Sequence, residues 1–258
     1  MSKIVSIHSF RGGTGKSNTT ANIATQVALQ GNRVAIVDTD IQSPGIHVLF
    51  KMEEDDIQLS LNDYLWGKCA IHEAVYDVGA KLKMPDGAEG LPQGKLFLIP
   101  SSIKPNEITK VLREGYDVGM LSDGFQDAIE RLELDYFFID THPGLNEETL
   151  LSIAISDVLL LIMRPDRQDF QGTAVTVDVS RKLDIPNLYL VVNKALPDTD
   201  FKAFGKLVEE TYQTPVAGVL PLSTDVARLS SYDIFSLREP EHQWSLTIKK
   251  IVEHVIAS

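Results

Sequence analysis

Seven short runs of aliphatic and β-branched residues recur along the chain: Lys3 to Ser9, Arg33 to Asp38, Lys95 to Pro100, Tyr136 to Asp140, Val158 to Arg164, Asn187 to Asn193 and Val216 to Pro221. Most are apolar at consecutive positions rather than at every second one, which is the pattern of strands buried on both faces. Between them, apolar residues fall three and four apart, as in Phe125, Ile129 and Leu132 or Phe204, Leu207, Val208 and Tyr212, and predict amphipathic helices. Helical patterns are also expected from Asn22 to Leu29 and around Ile71 to Tyr76. Strand and helix in alternation, joined by right-handed crossovers, predict an α/β fold: a doubly wound, mostly parallel sheet with helices on both faces, in three layers. Such a fold binds its ligands at the carboxyl ends of the strands.

Two segments stand outside this rhythm. Gly79 to Gly94, containing Lys81, Lys83, Pro85, Asp86, Gly87 and Pro92, reads as a surface excursion. The stripe Leu246, Ile248, Ile251, Val252, Val255 and Ile256 has helical spacing with only Lys249 and Lys250 as nearby cations, so it predicts a helix packed on the core. Direct membrane binding is disfavoured on that ground.

Composition narrows the class. The 258 residues, 43% of them hydrophobic, suit one domain over 1–258. Val158 to Met163 is far too short to cross a bilayer, and Met1-Ser2-Lys3 leads into a strand rather than a signal peptide, so a soluble, cytoplasmic protein is expected. The single Cys69 excludes an internal disulfide and a cysteine-rich metal cluster. A net charge of −12 repels nucleic acid, which would need a local basic patch to bind. Arg164, Arg167, Arg181 and Lys182 come nearest to one, but Asp166, Asp169 and Asp178 interleave them, as on a solvated mixed-charge face.

The candidate chemistry starts in Ser9-Phe10-Arg11-Gly12-Gly13-Thr14-Gly15-Lys16-Ser17-Asn18, a glycine-rich loop between a strand run and a helical pattern. Gly12, Gly13, Thr14 and Gly15 let backbone N–H groups curl around a polyanion, and the helix start at Ser17 and Asn18 adds its positive dipole end. Lys16 supplies a cation, and the Ser17 hydroxyl suits Mg²⁺. A nucleoside triphosphate is the ligand this implies. In Val37-Asp38-Thr39-Asp40, two carboxylates one residue apart leave an extended chain on the same side, beside that loop. One can hold water of a magnesium shell while the other orients an attacking water. Asp140 follows Phe137-Phe138-Ile139 at the exit of a buried strand, where a carboxylate accepts hydrogen bonds from Mg²⁺-bound water. His142, in Asp140-Thr141-His142-Pro143-Gly144, reads either as a polar turn residue or as a contact for phosphate or partner. Late in the chain Asn193 offers a donor and an acceptor to an adenine edge, and Pro221 and Leu222 follow another strand run.

Phe10 stands where a standard G-x-x-x-x-G-K-[ST] loop has its first glycine. Arg-Gly-Gly-x-Gly-Lys-Ser instead resembles the deviant Walker A loop, Lys-Gly-Gly-x-Gly-Lys-[ST], of the ParA/MinD family of dimerising ATPases, with Arg11 in place of the signature lysine. The hydrophobic-Asp-x-Asp segment, the Walker B-like Asp140 segment, Asn193 and the Pro221 segment resemble that family in the same order. His142 departs from the proline or small residue usual there, and Ser223-Thr224-Asp225-Val226 depart from its acidic pair.

The resemblance implies ATP rather than GTP, in keeping with Ala195 and Leu196 after Lys194 in place of the guanine-reading Asn-Lys-x-Asp. It also implies Mg²⁺ as cofactor, a homodimer formed on ATP binding, slow hydrolysis, and an activating or cargo-adaptor protein. Lys16 then neutralises the β,γ-phosphates, Asp40 positions water, Ser17, Asp38 and Asp140 surround the metal, and Arg11 reaches the phosphates of the other subunit. The competing expectations are a nucleotide-dependent dimeric scaffold with little hydrolysis and a small-molecule P-loop biosynthetic enzyme.

Overall fold

The computed structural model describes residues 2–229 and 231–258; Met1, part of the predicted lead-in to the first strand, lies outside the described residues. Its sheet has eight strands: β1 (Lys3–His8), β2 (Arg33–Asp38), β3 (Tyr76–Asp77), β4 (Lys95–Ile99), β5 (Tyr136–Asp140), β6 (Val158–Met163), β7 (Asn187–Ala195) and β8 (Val216–Pro221). Their order is β3-β4-β2-β5-β1-β6-β7-β8, and every pairing is parallel except β3 with β4. All seven predicted strands are present. The expected helix around Ile71 to Tyr76 is corrected: Ile71–Ala74 makes one 3₁₀ turn, and Tyr76–Asp77 pairs antiparallel at the sheet edge. The Tyr76 hydroxyl, bonded to both the N–H and the carbonyl of Leu59, holds that segment extended.

The helices in chain order are α1 (Lys16–Ala28), α2 (Ile46–Leu49), α3 (Leu61–Leu65), α4 (Pro105–Glu114), α5 (Gly119–Arg131), α6 (Glu147–Ala154), α7 (Arg167–Lys182), α8 (Phe201–Tyr212), α9 (Thr224–Leu229), α10 (Phe235–Arg238) and α11 (Gln243–Ala257). Consecutive apolar residues in the strands serve opposite faces, because side chains alternate along a strand. Val34, Ile36, Phe138, Leu160 and Ile162 join the cluster under α1 and α11, while Ala35, Val37, Phe137 and Ile139 join the one under α3 and α5. Leu161, Met163, Leu190 and Val192 pack with α7 and α8. The result is the predicted three-layer, doubly wound architecture.

The C-terminal stripe packs on the core as expected: Ile248, Ile251, Val252 and Val255 are buried against the α1 side of the sheet. Among the described residues no helix is long and apolar enough to cross a membrane. Because β1 lies between β5 and β6, with β2 beyond β5, the strand ends at His8, Asp38 and Asp140 open side by side at one rim of the sheet.

Candidate functional site

The loop from Ser9 to Gly15 leaves β1 and turns directly into α1. Gly15 caps that helix at φ +89°, a left-handed conformation that costs glycine nothing, and a Cβ there would stand 2.5 Å from Asn193 Nδ2. No side chain caps the helix, so the first N–H groups of α1 face out from the loop. Thr19 and Thr20 return their hydroxyls to the carbonyls of Gly15 and Lys16, at 2.9 and 3.0 Å, which fixes the first turn. The arrangement is a positively polarised cradle for an anion.

Beneath it lies a buried ionic cluster. Lys16 Nζ donates to Asp140 Oδ1 at 2.8 Å with both side chains almost fully enclosed, and Thr20 Oγ1, whose one proton is divided between this oxygen and the Lys16 carbonyl, lies 3.0 Å from it. Asp140 Oδ2 is buried without a partner. Asp38 is in register with Asp140 across β2 and β5, and its carboxylate accepts N–H groups from Asp40 at 3.0 Å and Gly45 at 3.2 Å. Burial, then the nearby Asp140 charge, push the Asp38 carboxyl up to about 7, against the pull of Lys16. Of the two enclosed carboxylates, only Asp140 bonds Lys16, whose charge Asp38 feels at longer range.

Asp40 is held differently. Its Oδ1 accepts from His142 Nδ1 at 2.6 Å and from the hydroxyl and N–H of Ser43 at 3.1 and 3.3 Å. Burial pushes this carboxyl up, but the His142 hydrogen bond, the Lys16 charge and Ser43 outweigh it and hold Asp40 below the usual carboxylate range. The same hydrogen bond raises His142 above the ordinary imidazole range. His142 is more than an idle turn residue, because its ring is tied to Asp40.

Arg11 leans on α7, donating to Gln168 Oε1 and lying 3.7 Å from Asp169 and 3.9 Å from Asp166. Asp166 caps α7 by accepting the N–H groups of Gln168 and Asp169, so the acidic start of that helix is fixed where the loop passes. Phe10 lies flat on the same helix, where a Cβ on Gly172 would stand 2.1 Å from its ring. The residue in the place of the standard first glycine therefore anchors the loop to α7.

Asn193 and Lys194, at the end of β7, clamp the other side of the loop. Asn193 Nδ2 donates to the Thr14 carbonyl at 2.8 Å, its Oδ1 accepts the Lys194 N–H, and Lys194 Nζ donates to the Gly13 carbonyl at 2.8 Å. In the single chain the Asn193 amide thus grips the loop as well as lining the expected base site. A cleft of about 340 Å³ opens there between Gly15, Asn18, Asn193, Pro221, Leu222 and Trp244. The nucleotide-contacting residues expected from the sequence meet at one rim.

The residues present fit magnesium and a nucleotide. A hard cation wants oxygen donors, and the orphaned Asp140 Oδ2, the Asp38 carboxyl and the Ser17 hydroxyl at the start of α1 supply them. No group of three or more His, Cys, Asp or Glu able to hold a metal occurs among the described residues. Sequence reasoning missed Lys194 as a loop clamp and Trp244 as a cleft wall, which only the return of β7 and α11 brings there. It also missed His8, whose Nδ1 lies 2.7 Å from the Thr141 hydroxyl with Nε2 buried and unpaired. Burial, then the Lys16 and His142 charges, lower His8 to about 3, so it is a neutral ring under the loop. A lone histidine after Ile4 to Ile7 was the signal available.

Comparison with known proteins agrees with this fold. Residues 5–237 match the family profile of the CobQ/CobB/MinD/ParA nucleotide binding domain. An ATP-binding protein of Methanocaldococcus jannaschii is 25% identical over 232 residues, 90% of this chain and 79% of that protein. The cell division ATPase MinD of Pyrococcus furiosus has a similar structure, with a TM-score of 0.81 at 21% identity, covering 100% of this chain and 99% of that one. The septum site-determining protein MinD of Pyrococcus horikoshii, solved as a complex with Mg-ADP, superposes with a TM-score of 0.79 at 19% identity, covering 99% and 96%.

Proposed function

The chain belongs to the CobQ/CobB/MinD/ParA nucleotide binding domain family, and from that premise we propose that it is an ATP- and Mg²⁺-dependent switch that dimerises on ATP and resets by slow hydrolysis. The observation that carries this reading is the juxtaposition of the uncapped α1 start, the enclosed Lys16–Asp140 pair and the unpaired Asp140 Oδ2 at the end of one cleft.

Each residue has a role that follows from its position. The N–H groups from Gly12 to Asn18 bind the phosphate chain, and Lys16, paired with Asp140, gains a more negative partner in the β,γ-phosphates. Ser17, Asp38 and Asp140 would hold Mg²⁺, which supplies counter-charge to the phosphates when bound. Asp40, kept ionised and hydrogen-bonded, orients the attacking water. The cleft lined by Asn193, Pro221 and Leu222 would take the base.

The Arg11 side chain is 40% exposed at the loop, where it contacts Gln168, Asp166 and Asp169. Guanidinium pairs well with phosphate oxygens, so Arg11 serves the nucleotide of a second copy, in trans. A partner protein that couples the switch to a cargo completes the reading. Light scattering with ATP and with ADP, run beside single-turnover phosphate release, tests it. The expected result is a dimer with ATP alone and slow release that Asp40→Ala abolishes; a monomer under both nucleotides, or release at background rate in the wild type, refutes it.

A further inference from the structure

The contact between His142 and Asp40 goes beyond the roles above. Asp40 lies in the turn after β2 and His142 in the turn after β5, 102 residues apart, yet Nδ1 and Oδ1 meet at 2.6 Å. An ionised carboxylate only accepts hydrogen bonds, so Nδ1 carries the proton. With the Ser43 hydroxyl and N–H on the same oxygen, three donors converge on Oδ1. Among the described residues Oδ2 takes no hydrogen bond from the protein, and the carboxylate retains 13% exposure at the mouth of the site. The turn that carries His142 is itself pinned, because Thr149 Oγ1 donates to the His142 carbonyl at 3.2 Å and Gly144 N–H donates to the Ser9 carbonyl at 3.2 Å.

We propose that His142 is a positioning residue for hydrolysis: by saturating Oδ1 it fixes the rotamer of Asp40 and leaves Oδ2 as the one acceptor for the attacking water. This rests on the reading of Asp40 as the water-orienting group. The physical warrant is pre-organisation, since a base held in the productive orientation does not have to be ordered during the reaction. Buried Ile41 and the Asp40 and Gly45 N–H groups bonded to Asp38 fix the backbone of this turn, but within the turn only Ser43 holds the Asp40 carboxylate itself. His142 is the only group among the described residues that ties the Asp40 carboxylate to the β5 side of the site.

The test compares wild type, His142→Ala, His142→Asn, Asp40→Asn and the double variant Asp40→Asn/His142→Ala in single-turnover phosphate release at saturating ATP. ATP affinity by calorimetry and ¹⁵N NMR of His142 in the nucleotide-free protein accompany it. His142→Ala is expected to slow release about tenfold to a hundredfold, the cost of a misplaced reacting group. Its ATP affinity stays within about twofold, because the loss falls on turnover rather than on binding. The Asn amide of His142→Asn can donate from nearly the place of Nδ1 and restores most of the rate, which a variant that merely misfolds would not show. The double variant is no slower than Asp40→Asn, because His142 acts through Asp40. The NMR spectrum shows a protonated Nδ1 whose shift moves in Asp40→Asn.

Release from His142→Ala at or above the wild-type rate, with Asp40→Asn inactive, overturns the positioning role alone. An unprotonated Nδ1 does the same. Wild-type release from Asp40→Asn overturns the reading of Asp40 and this inference with it.

Discussion

Asp38→Asn makes the buried ionic cluster testable without any ligand. Asp38 is 1% exposed and its carboxyl is pushed from 3.8 up to about 7, first by burial and then by Asp140. The folded chain therefore holds a proton that the unfolded chain has released, and stability falls as pH rises from about 4 to about 7. A shift of about 3 pH units is worth about 4 kcal/mol against the charged form. Asn stays neutral and escapes that penalty, but its amide turns a donor toward the Gly45 N–H that Oδ2 now accepts at 3.2 Å, which costs about 1–3 kcal/mol. The net effect at pH 8 is a gain of about 1–3 kcal/mol, several degrees in Tm for a chain of this size. Near pH 4 Asp38 is itself protonated and escapes that penalty, so only the amide's cost remains and the variant is less stable than wild type by about 1–3 kcal/mol. Thermal unfolding by circular dichroism in metal-free, nucleotide-free buffer across pH 4–8 reads both ends. Equal or lower stability of Asp38→Asn at pH 8, or a gain independent of pH, refutes the reasoning.

Three further expectations concern the walls of the site. His8 is fully buried and lowered to about 3, so the stability it protects is complete above its unfolded value of 6.5 and is lost as pH falls toward 3; His8→Asn flattens that acid limb in chemical denaturation at stepped pH. Gly172→Ala places a Cβ 2.1 Å from the Phe10 ring and must displace the loop, so ATP affinity by calorimetry drops at least about tenfold, since a misplaced cradle loses several phosphate contacts; unchanged affinity contradicts the anchoring of Phe10. Arg11→Ala shifts stability by less than about 1 kcal/mol, because the guanidinium is itself exposed and the buried Asp169 keeps Arg164 as partner, yet abolishes the ATP-dependent dimer. A dimer that persists in light scattering removes Arg11 from the interface.

The sheet was legible because two-sided burial leaves consecutive apolar residues in the sequence, and every such run became a strand. Tyr76–Asp77 was not legible, since a two-residue edge strand carries no period and depends on Tyr76 reaching Leu59. The loop, Asp38, Asp40 and Asp140 could be read from glycine spacing and from acids at strand exits. What they do to one another could not. The tie from His142 to Asp40, the grip of Asn193 and Lys194 on the loop and the lean of Arg11 on α7 all link residues more than 100 positions apart, where only the strand order supplies proximity. The C-terminal stripe was readable as a core helix, but Trp244 as a cleft wall was not, because periodicity gives a face and not its neighbour.

The central claim is that the loop between β1 and α1 grips the phosphates of ATP through Lys16 and its open backbone N–H groups. Isothermal titration of the nucleotide-free protein with ATP and Mg²⁺, wild type beside Lys16→Ala, tests it most directly. Saturable binding by the wild type and none by Lys16→Ala is the predicted result; no binding by a folded wild type, or equal affinity in the two proteins, contradicts it.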